Sequence, residues 1–292
     1  EMYIGDWSSD VCSSDLKSTM QYTINVRGQL IDLSRPMVMG ILNATPDSFY
    51  SGSRKQTEAE IADRANQIIA EGGRIIDVGA FSTRPGGADV VSMEEETARL
   101  KHALQIVRRE QPNAIVSVDT YRPLVARRCV EEFGADIIND VSEGGLTGIV
   151  GQAIHEEGDM FETVARLGVP YILMSVQPTL EKMMLGFSEE VQRLHSLGAK
   201  DIILDPGYGF GKTLEQNYEI MKHSERLLQF GLPILVGISR KSMIYKLLGG
   251  DPTTSLNGTT VLNTISLQKG ASILRVHDVK EAVEATLLLQ QF

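Results

Sequence analysis

Two short stretches near the C-terminal end concentrate groups that can do chemistry. "SRKS" (239–242) sets Arg240 and Lys241 between two hydroxyls, Ser239 and Ser242. Two buried cations side by side are costly without anions, so a ligand or neighbouring carboxylates are expected there. "RVHD" (275–278) adds Arg275 and His277, which alternate along a strand and so point to one side. The early stretch "NATPDSFYSG" (43–52) offers oxygens of Asn43 and Asp47 to a hard cation. Mg²⁺ takes one or two such protein ligands plus phosphate oxygens and water, although Asp47 and Ser48 can equally cap a local turn. Arg275 and His277 together with this first loop would make a diphosphate site. In "FSTRPGG" (81–87), the Thr83 hydroxyl and Arg84 guanidinium suit an anion, and Pro85 and Gly86 suit a loop that orders over a ligand. Asp119, Asn139 and Asp205 are short donors and acceptors. They make a poor phosphate pocket and a good one for a flat heterocycle with several N–H and carbonyl groups. The implied ligand has a polar ring at one end and an anionic group at the other.

"DPGYGFGKT" (205–213) ends like a nucleotide-binding P-loop, but that loop needs Gly four residues before its Gly-Lys-Thr ending. Pro206 stands there and has no N–H to donate. A dinucleotide fingerprint fails too, because its third glycine falls on Lys212. The stretch reads instead as a strand end with a tight glycine turn, and Lys212 and Thr213 open the next helix.

These residues recur because the elements recur. After a hairpin pattern over 22–33, a short β-branched apolar run, a polar loop and an amphipathic helix repeat along the chain. The runs are 37–43, 74–80, 114–120, 136–142, 170–176, 201–207, 233–239 and 272–278. Helical stretches lie between them, such as 57–73 and 92–110, the latter opening with Ser92 and acids and closing with basics. Eight βα units in one chain of this length predict a (β/α)8 TIM barrel behind an N-terminal β-hairpin. Catalytic groups of such barrels sit at the C-terminal strand ends. Those ends are Asn43, Asp77, Asp119, Asn139 with Asp140, Met174, Asp205, Ser239 to Lys241, and Arg275 with His277.

Composition adds exclusions. The chain has 292 residues, 42% hydrophobic and 23% charged, which is ordinary globular composition. A net charge of -10 argues against nucleic acid as the main partner. Cys12 and Cys129 form no metal-ligand spacing, no membrane-length apolar run exists, and a cytoplasmic protein is expected. Residues 1–19 show no element period and lack the basic start and apolar centre of a signal peptide. They are expected to be a disordered, non-native tail before a single barrel domain over 20–292.

Seven ordered motifs resemble the dihydropteroate synthases of the folate pathway: "MGILNATPDSF", "IIDVGAFSTRPGG", "SVDT", "IND", "LDPGYGFGK", "LVGISRKSM" and "RVHDV". The resemblance implies a pterin-binding TIM barrel that condenses 6-hydroxymethyl-7,8-dihydropterin diphosphate with 4-aminobenzoate, using Mg²⁺. It further implies that Asp119, Asn139, Met174, Asp205 and Lys241 hold the pterin. Asn43, Arg84, Arg275 and His277 would hold the diphosphate, with Asn43 near the metal. Thr83, Arg84, Pro85, Phe210, Lys241 and Ser242 would frame the aminobenzoate. Asp47, Arg84, Lys241, Arg275 and His277 would be the catalytic group, and a homodimer is the family's expectation. The chain departs from the family's pattern in having Phe81 where Glu is common, and Ser175 and Val176 after Met174 where His-Met is common. The segment from there to Asp205 is also short. A pterin-binding barrel of the methyltransfer type, or a sulfonamide-tolerant synthase, would be the alternatives.

Overall fold

The computed structural model describes residues 22–44, 53–80, 91–144 and 158–292, with the backbone alone for 53–56. The N-terminal hairpin is as expected. β1 (Thr23–Val26) and β2 (Gln29–Asp32) pair antiparallel through Arg27 and Gly28, both with positive φ (52° and 79°). That backbone lets a two-residue turn follow the strand twist. Arg27 is held there by Asp136, 3.2 Å away, and by the carbonyl of Ala114 at 3.1 Å.

Eight parallel strands follow: β3 (Met37–Asn43), β4 (Ile75–Gly79), β5 (Ile115–Asp119), β6 (Ile137–Asp140), β7 (Tyr171–Met174), β8 (Ile202–Asp205), β9 (Leu235–Val236) and β10 (Ile273–Val276). Their order is β8-β7-β6-β5-β4-β3-β10-β9, and a parallel bridge between Leu204 and Ile234 joins the two edges. The sheet therefore closes as the barrel that the repeat predicts. Most strands are one to three residues shorter than their apolar runs. The penultimate one shrinks from seven residues to the pair Leu235–Val236. Pro233 has no N–H for the ladder there, and the chain beyond Val236 leaves the sheet to carry Ser239 and Lys241 into the mouth.

The helices are α1 (Ser53–Ala70), α2 (Met93–Glu110), α3 (Pro123–Glu131), α4 (Met160–Leu167), α5 (Leu180–Leu197), α6 (Leu214–Lys222), α7 (Ser242–Leu248), α8 (Leu256–Gln268) and α9 (Val279–Leu289). The α2 boundaries follow their signals. Ser92 caps the start by accepting from the Glu95 N–H, Glu94 to Glu96 occupy the first turn, and Arg108 and Arg109 the last. By contrast α1 begins at Ser53, before the expected 57, and ends at Ala70, ahead of left-handed Gly72. Between Met174 and Asp205 α5 is the single helix, entered directly through the Thr179 cap. Among the described residues no helix is long and apolar enough to cross a membrane.

Strand alternation sorts the barrel interior into layers. Met39, Ile75, Ile137, Ile172, Ile203, Leu235 and Ile273 form one buried cluster with Ile24, Val26 and Leu33. The hairpin thus plugs the lower lumen with aliphatic side chains. The next inward positions are mostly polar: Asp77, Ser117 and Asp119, Asn139, Asp205 and Arg275, with Met174 at the end of β7 beside Asp205. The second core lies between the sheet and the helices, where Leu42, Ile76, Val116, Leu173 and Leu204 meet Ile68, Leu104 and Phe187. A packed lower layer and a helical jacket leave one open end for function, the C-terminal one.

Candidate active site

Arg275 is the hub of that end. Its Nε donates to Asp77 Oδ2 at 2.6 Å and one terminal nitrogen to Asp119 Oδ2 at 2.9 Å. Asn139 Nδ2 also donates to Asp77 Oδ2, at 3.1 Å. Four side chains from β4, β5, β6 and β10 are thereby locked into one network across the lumen. Two carboxylates around one guanidinium offset the cost of burying all three. Burial pushes the Asp119 carboxyl up despite Arg275 beside it. Desolvation opposes the charge on Arg275, but Asp77 and Asp119 outweigh it and hold the guanidinium protonated.

The network leaves acceptors unused. Asp77 Oδ1, Asp119 Oδ1, Asn139 Oδ1 and Ser117 Oγ are buried with no hydrogen-bond partner. Buried polar atoms normally find partners, so four orphans on neighbouring inward positions suit donor groups. Asn139 gives its NH₂ to Asp77, which orients its carbonyl oxygen as one of these acceptors.

The opposite wall is cationic. Lys241 Nζ donates to Tyr208 O at 2.5 Å and lies 4.4 Å from the centre of the Phe210 ring. Burial lowers its pKa to about 7, with Asp205 acting the other way. Asp205, raised by burial and countered first by Lys241, accepts the Gly207 N–H at 2.7 Å. Gly207 sits at φ 62°, and a Cβ there would lie 2.2 Å from Ser175 O. No other residue fits this turn at so close an approach.

The diphosphate candidates flank this pocket. His277 Nδ1 is 3.0 Å from Ser239 Oγ, and the His277 N–H donates to the same oxygen at 3.1 Å. From α1, Arg64 donates to Ile41 O at 3.1 Å and His277 O at 2.6 Å, tying the ends of β3 and β10 together. Asn43 is exposed at the end of β3, where an amide oxygen can meet a hydrated cation. Ser242 opens α7, immediately after Lys241. Asp47, Thr83, Arg84 and Pro85 lie outside the described residues, as do residues 1–19.

Three expectations need correction. Arg240 does not join Lys241 in the mouth. Its left-handed backbone, φ 56°, turns it outward to a two-pronged pair with Asp278, 2.8 Å on each side. Asp140 does not accompany Asn139, because strand alternation turns it away from the lumen. It accepts from Tyr171 OH at 2.7 Å and from Ser142 and Gly144, shaping the turn after β6. Lys212 does more than open a helix, since its ammonium is turned inward onto three carbonyls.

Residues 39–277 match the family of pterin-binding enzymes. A dihydropteroate synthase of Escherichia coli K12 is 39% identical over 279 residues, which span 90% of this chain and 94% of that protein. The chain belongs to the dihydropteroate synthase family. A Streptococcus pyogenes dihydropteroate synthase is 36% identical, with 90% of this chain and 98% of the relative covered. The Xanthomonas albilineans dihydropteroate synthase solved with 4-aminobenzoic acid superposes with a TM-score of 0.81 at 32% identity, over 93% of this chain and 98% of that one. For a dihydropteroate synthase barrel, the layered lumen has a direct sense. The aliphatic floor belongs to the core, and the polar positions above it leave unpaired acceptors at the open end.

Asp77 had appeared in the sequence only as one strand end among eight, and nothing local marked it as the anchor of both Arg275 and Asn139. Arg64 had no signal at all, lying on a helix whose apolar face was the visible feature.

Proposed function

We propose that the chain condenses 6-hydroxymethyl-7,8-dihydropterin diphosphate with 4-aminobenzoate to give 7,8-dihydropteroate and diphosphate. The observation that carries this reading is the ring of unpartnered buried acceptors at Asp77, Ser117, Asp119 and Asn139, closed on one side by Lys241 and Arg275. A pterin has the flat edge of N–H groups that such a ring satisfies, and a carbonyl for the cations. Recognition by paired donors and acceptors is also selective, since an analogue lacking them leaves buried groups bare.

The chemistry asks the protein for no nucleophile. The C–O bond between the methylene and the diphosphate breaks, and its electron pair leaves with the diphosphate. The methylene cation is delocalised into the ring, and the carboxylates Asp77, Asp119 and Asp205 favour that positive charge. Arg275, His277 and Arg84 would hold the leaving diphosphate. The aminobenzoate nitrogen then forms the new C–N bond and releases a proton. Phe210, Lys241 and Ser242, with Thr83, Arg84 and Pro85, would frame that second substrate. Lys241, whose ammonium titrates at about 7, would serve both pockets.

Mg²⁺ fits the donor set present. Among the described residues there is no cluster of three or more His, Cys, Asp or Glu that would form an all-protein cage. A magnesium held mainly by diphosphate oxygens and water needs no such cage, only one or two hard oxygens. Asn43, with Asp47, would supply them, and the metal would neutralise charge on the leaving group. A homodimer is proposed as well. Exposed Leu247 and Leu248 on α7, Val261 on α8, and Leu287 and Leu288 on α9 offer it an apolar face. Light scattering at micromolar concentration should give twice the chain mass, and a monomer there would refute the dimer.

The deciding experiment incubates the purified chain with pterin diphosphate, Mg²⁺ and 4-aminobenzoate. Dihydropteroate and diphosphate are expected in equal amounts. Pterin binding without aminobenzoate-dependent product would instead indicate a methyltransfer-type barrel and overturn the reading.

A further inference from the structure

The loop between β8 and α6 has its carbonyl oxygens turned onto two ammonium groups. Lys212 Nζ donates to Gly207 O at 3.0 Å and Phe210 O at 3.1 Å, and reaches across to Ser175 O, just past β7, at 2.8 Å. Lys241 takes the carbonyl between them, Tyr208 O. All three donors of the Lys212 ammonium are therefore used. A lysine at a helix start ordinarily extends into water, where its charge is free. Here burial lowers its pKa to about 8, with Asp205 and Glu143 opposing the fall. That unfavourable burial needs a return, and the loop it fastens supplies one.

We infer that Lys212 is a positioning residue for the second substrate: its ammonium staples the 207–211 backbone to the end of β7 and so fixes Phe210 against Lys241. This inference rests on the synthase reading above, because Phe210 is there the aminobenzoate wall. The Asp205 backbone, on the pterin side, is held without Lys212. It belongs to the β8 ladder opposite Met174, and its carbonyl accepts the Ser175 N–H at 2.9 Å. Phe210 has no ladder. Its backbone is held by its own N–H on Gly207 O at 3.1 Å and by Lys212 on its carbonyl, and its ring contacts Lys241. Removing the ammonium takes this donor from three carbonyls, Ser175 O, Gly207 O and Phe210 O, and the close approach of Gly207 to Ser175 O directs the loop's relaxation outward. The staple also ends on Ser175, in the segment where the chain departs from its family's pattern.

The test uses the full chain, with Lys212→Met and Lys212→Cys. The cysteine variant is also alkylated by 2-bromoethylamine, which rebuilds an ammonium on a thioether stem. Lys212→Met should raise KM for aminobenzoate about tenfold, while kcat and the Kd for pterin diphosphate change by less than about threefold. The alkylated cysteine variant should recover most of that KM, and the unalkylated one should not. Unchanged aminobenzoate KM in Lys212→Met, or equal losses for both substrates with no recovery on alkylation, would overturn the inference. Wild-type chain without turnover would instead sink the synthase reading. Hydrogen exchange then still decides the staple: peptides covering 206–213 should exchange faster in Lys212→Met while those covering 37–43 do not, and equal exchange refutes it.

Discussion

Replacing the buried Asp77 by Asn removes one negative charge from the network while preserving shape, and the consequences can be worked from its two bonds. Arg275 Nε, at 2.6 Å, and Asn139 Nδ2, at 3.1 Å, both end on Asp77 Oδ2. An Asn offers one acceptor oxygen, so both bonds can survive, with the charge lost on the acceptor side alone. A hydrogen bond to a charged partner contributes about 1.5–3 kcal/mol against about 1 kcal/mol for a neutral one, so Arg275 loses roughly 1–2 kcal/mol of support. Asp119, 2.9 Å from the same guanidinium, remains, so the fold is retained. The second effect falls on the ligand. The orphan acceptor Oδ1 becomes an NH₂, which confronts a donor edge with a donor. About 2 kcal/mol lost there corresponds to roughly thirtyfold weaker binding. Titration calorimetry with pterin diphosphate measures the second effect and a thermal scan the first, where a fall of roughly 5 °C is expected. A Kd within about twofold of wild type would refute the claim that the Asp77 acceptor faces the heterocycle.

Lys241→Met tests the cost of the cationic wall through pH. Folding lowers the Lys241 pKa to about 7 from an ordinary 10.5, so its burial is free above the unfolded value and increasingly destabilising as pH falls toward the folded one. The variant should therefore lose all turnover, yet its Tm relative to wild type should rise as pH is lowered from 10 to 7; a difference independent of pH would refute the assignment. Glu96→Ala addresses a buried pair outside the lumen, Glu96 with Arg122 at 2.5 Å, which also ties Thr120 to the carbonyl of Val91. Taking the Glu96 carboxylate from beside buried Arg122 should cost about 3–5 kcal/mol and lower the Tm by roughly 10 °C, whereas a change under about 2 °C would show the pair to be dispensable.

What the sequence made legible was what neighbours within a few residues decide. Alternation along 272–278 places Arg275 and His277 on one side of their strand. The capping pattern of Ser92 with its following acids fixes a helix start for the same reason. What stayed hidden depends on closure. Asp77 and Arg275 are 198 residues apart and meet only because β3 lies between β4 and β10. Lys212 was misread through a true local signal. Thr213 beside it does form a capping box with Gln216, and that cap is silent about a lysine whose partners lie at 175, 207 and 210. The adjacency of Arg240 and Lys241 misled in the opposite direction, since one left-handed residue sends neighbouring cations to different sides.

The family's motifs and the network therefore carry different information. Each motif brings a polar group to a strand end, and a strand end can hold such a group for solvent alone. The chemistry appears when the ring closes. Arg275 then neutralises Asp77 and Asp119 from the middle, Asp77 fixes the amide of Asn139, and the oxygens left over all face one space. That is why removing Asp77, which the sequence alone put in no ligand set, should weaken the pterin more than removing a peripheral contact. Under the proposed function, the acceptors that recognise the ring are those the guanidinium leaves unused, and Asp77 decides which ones they are.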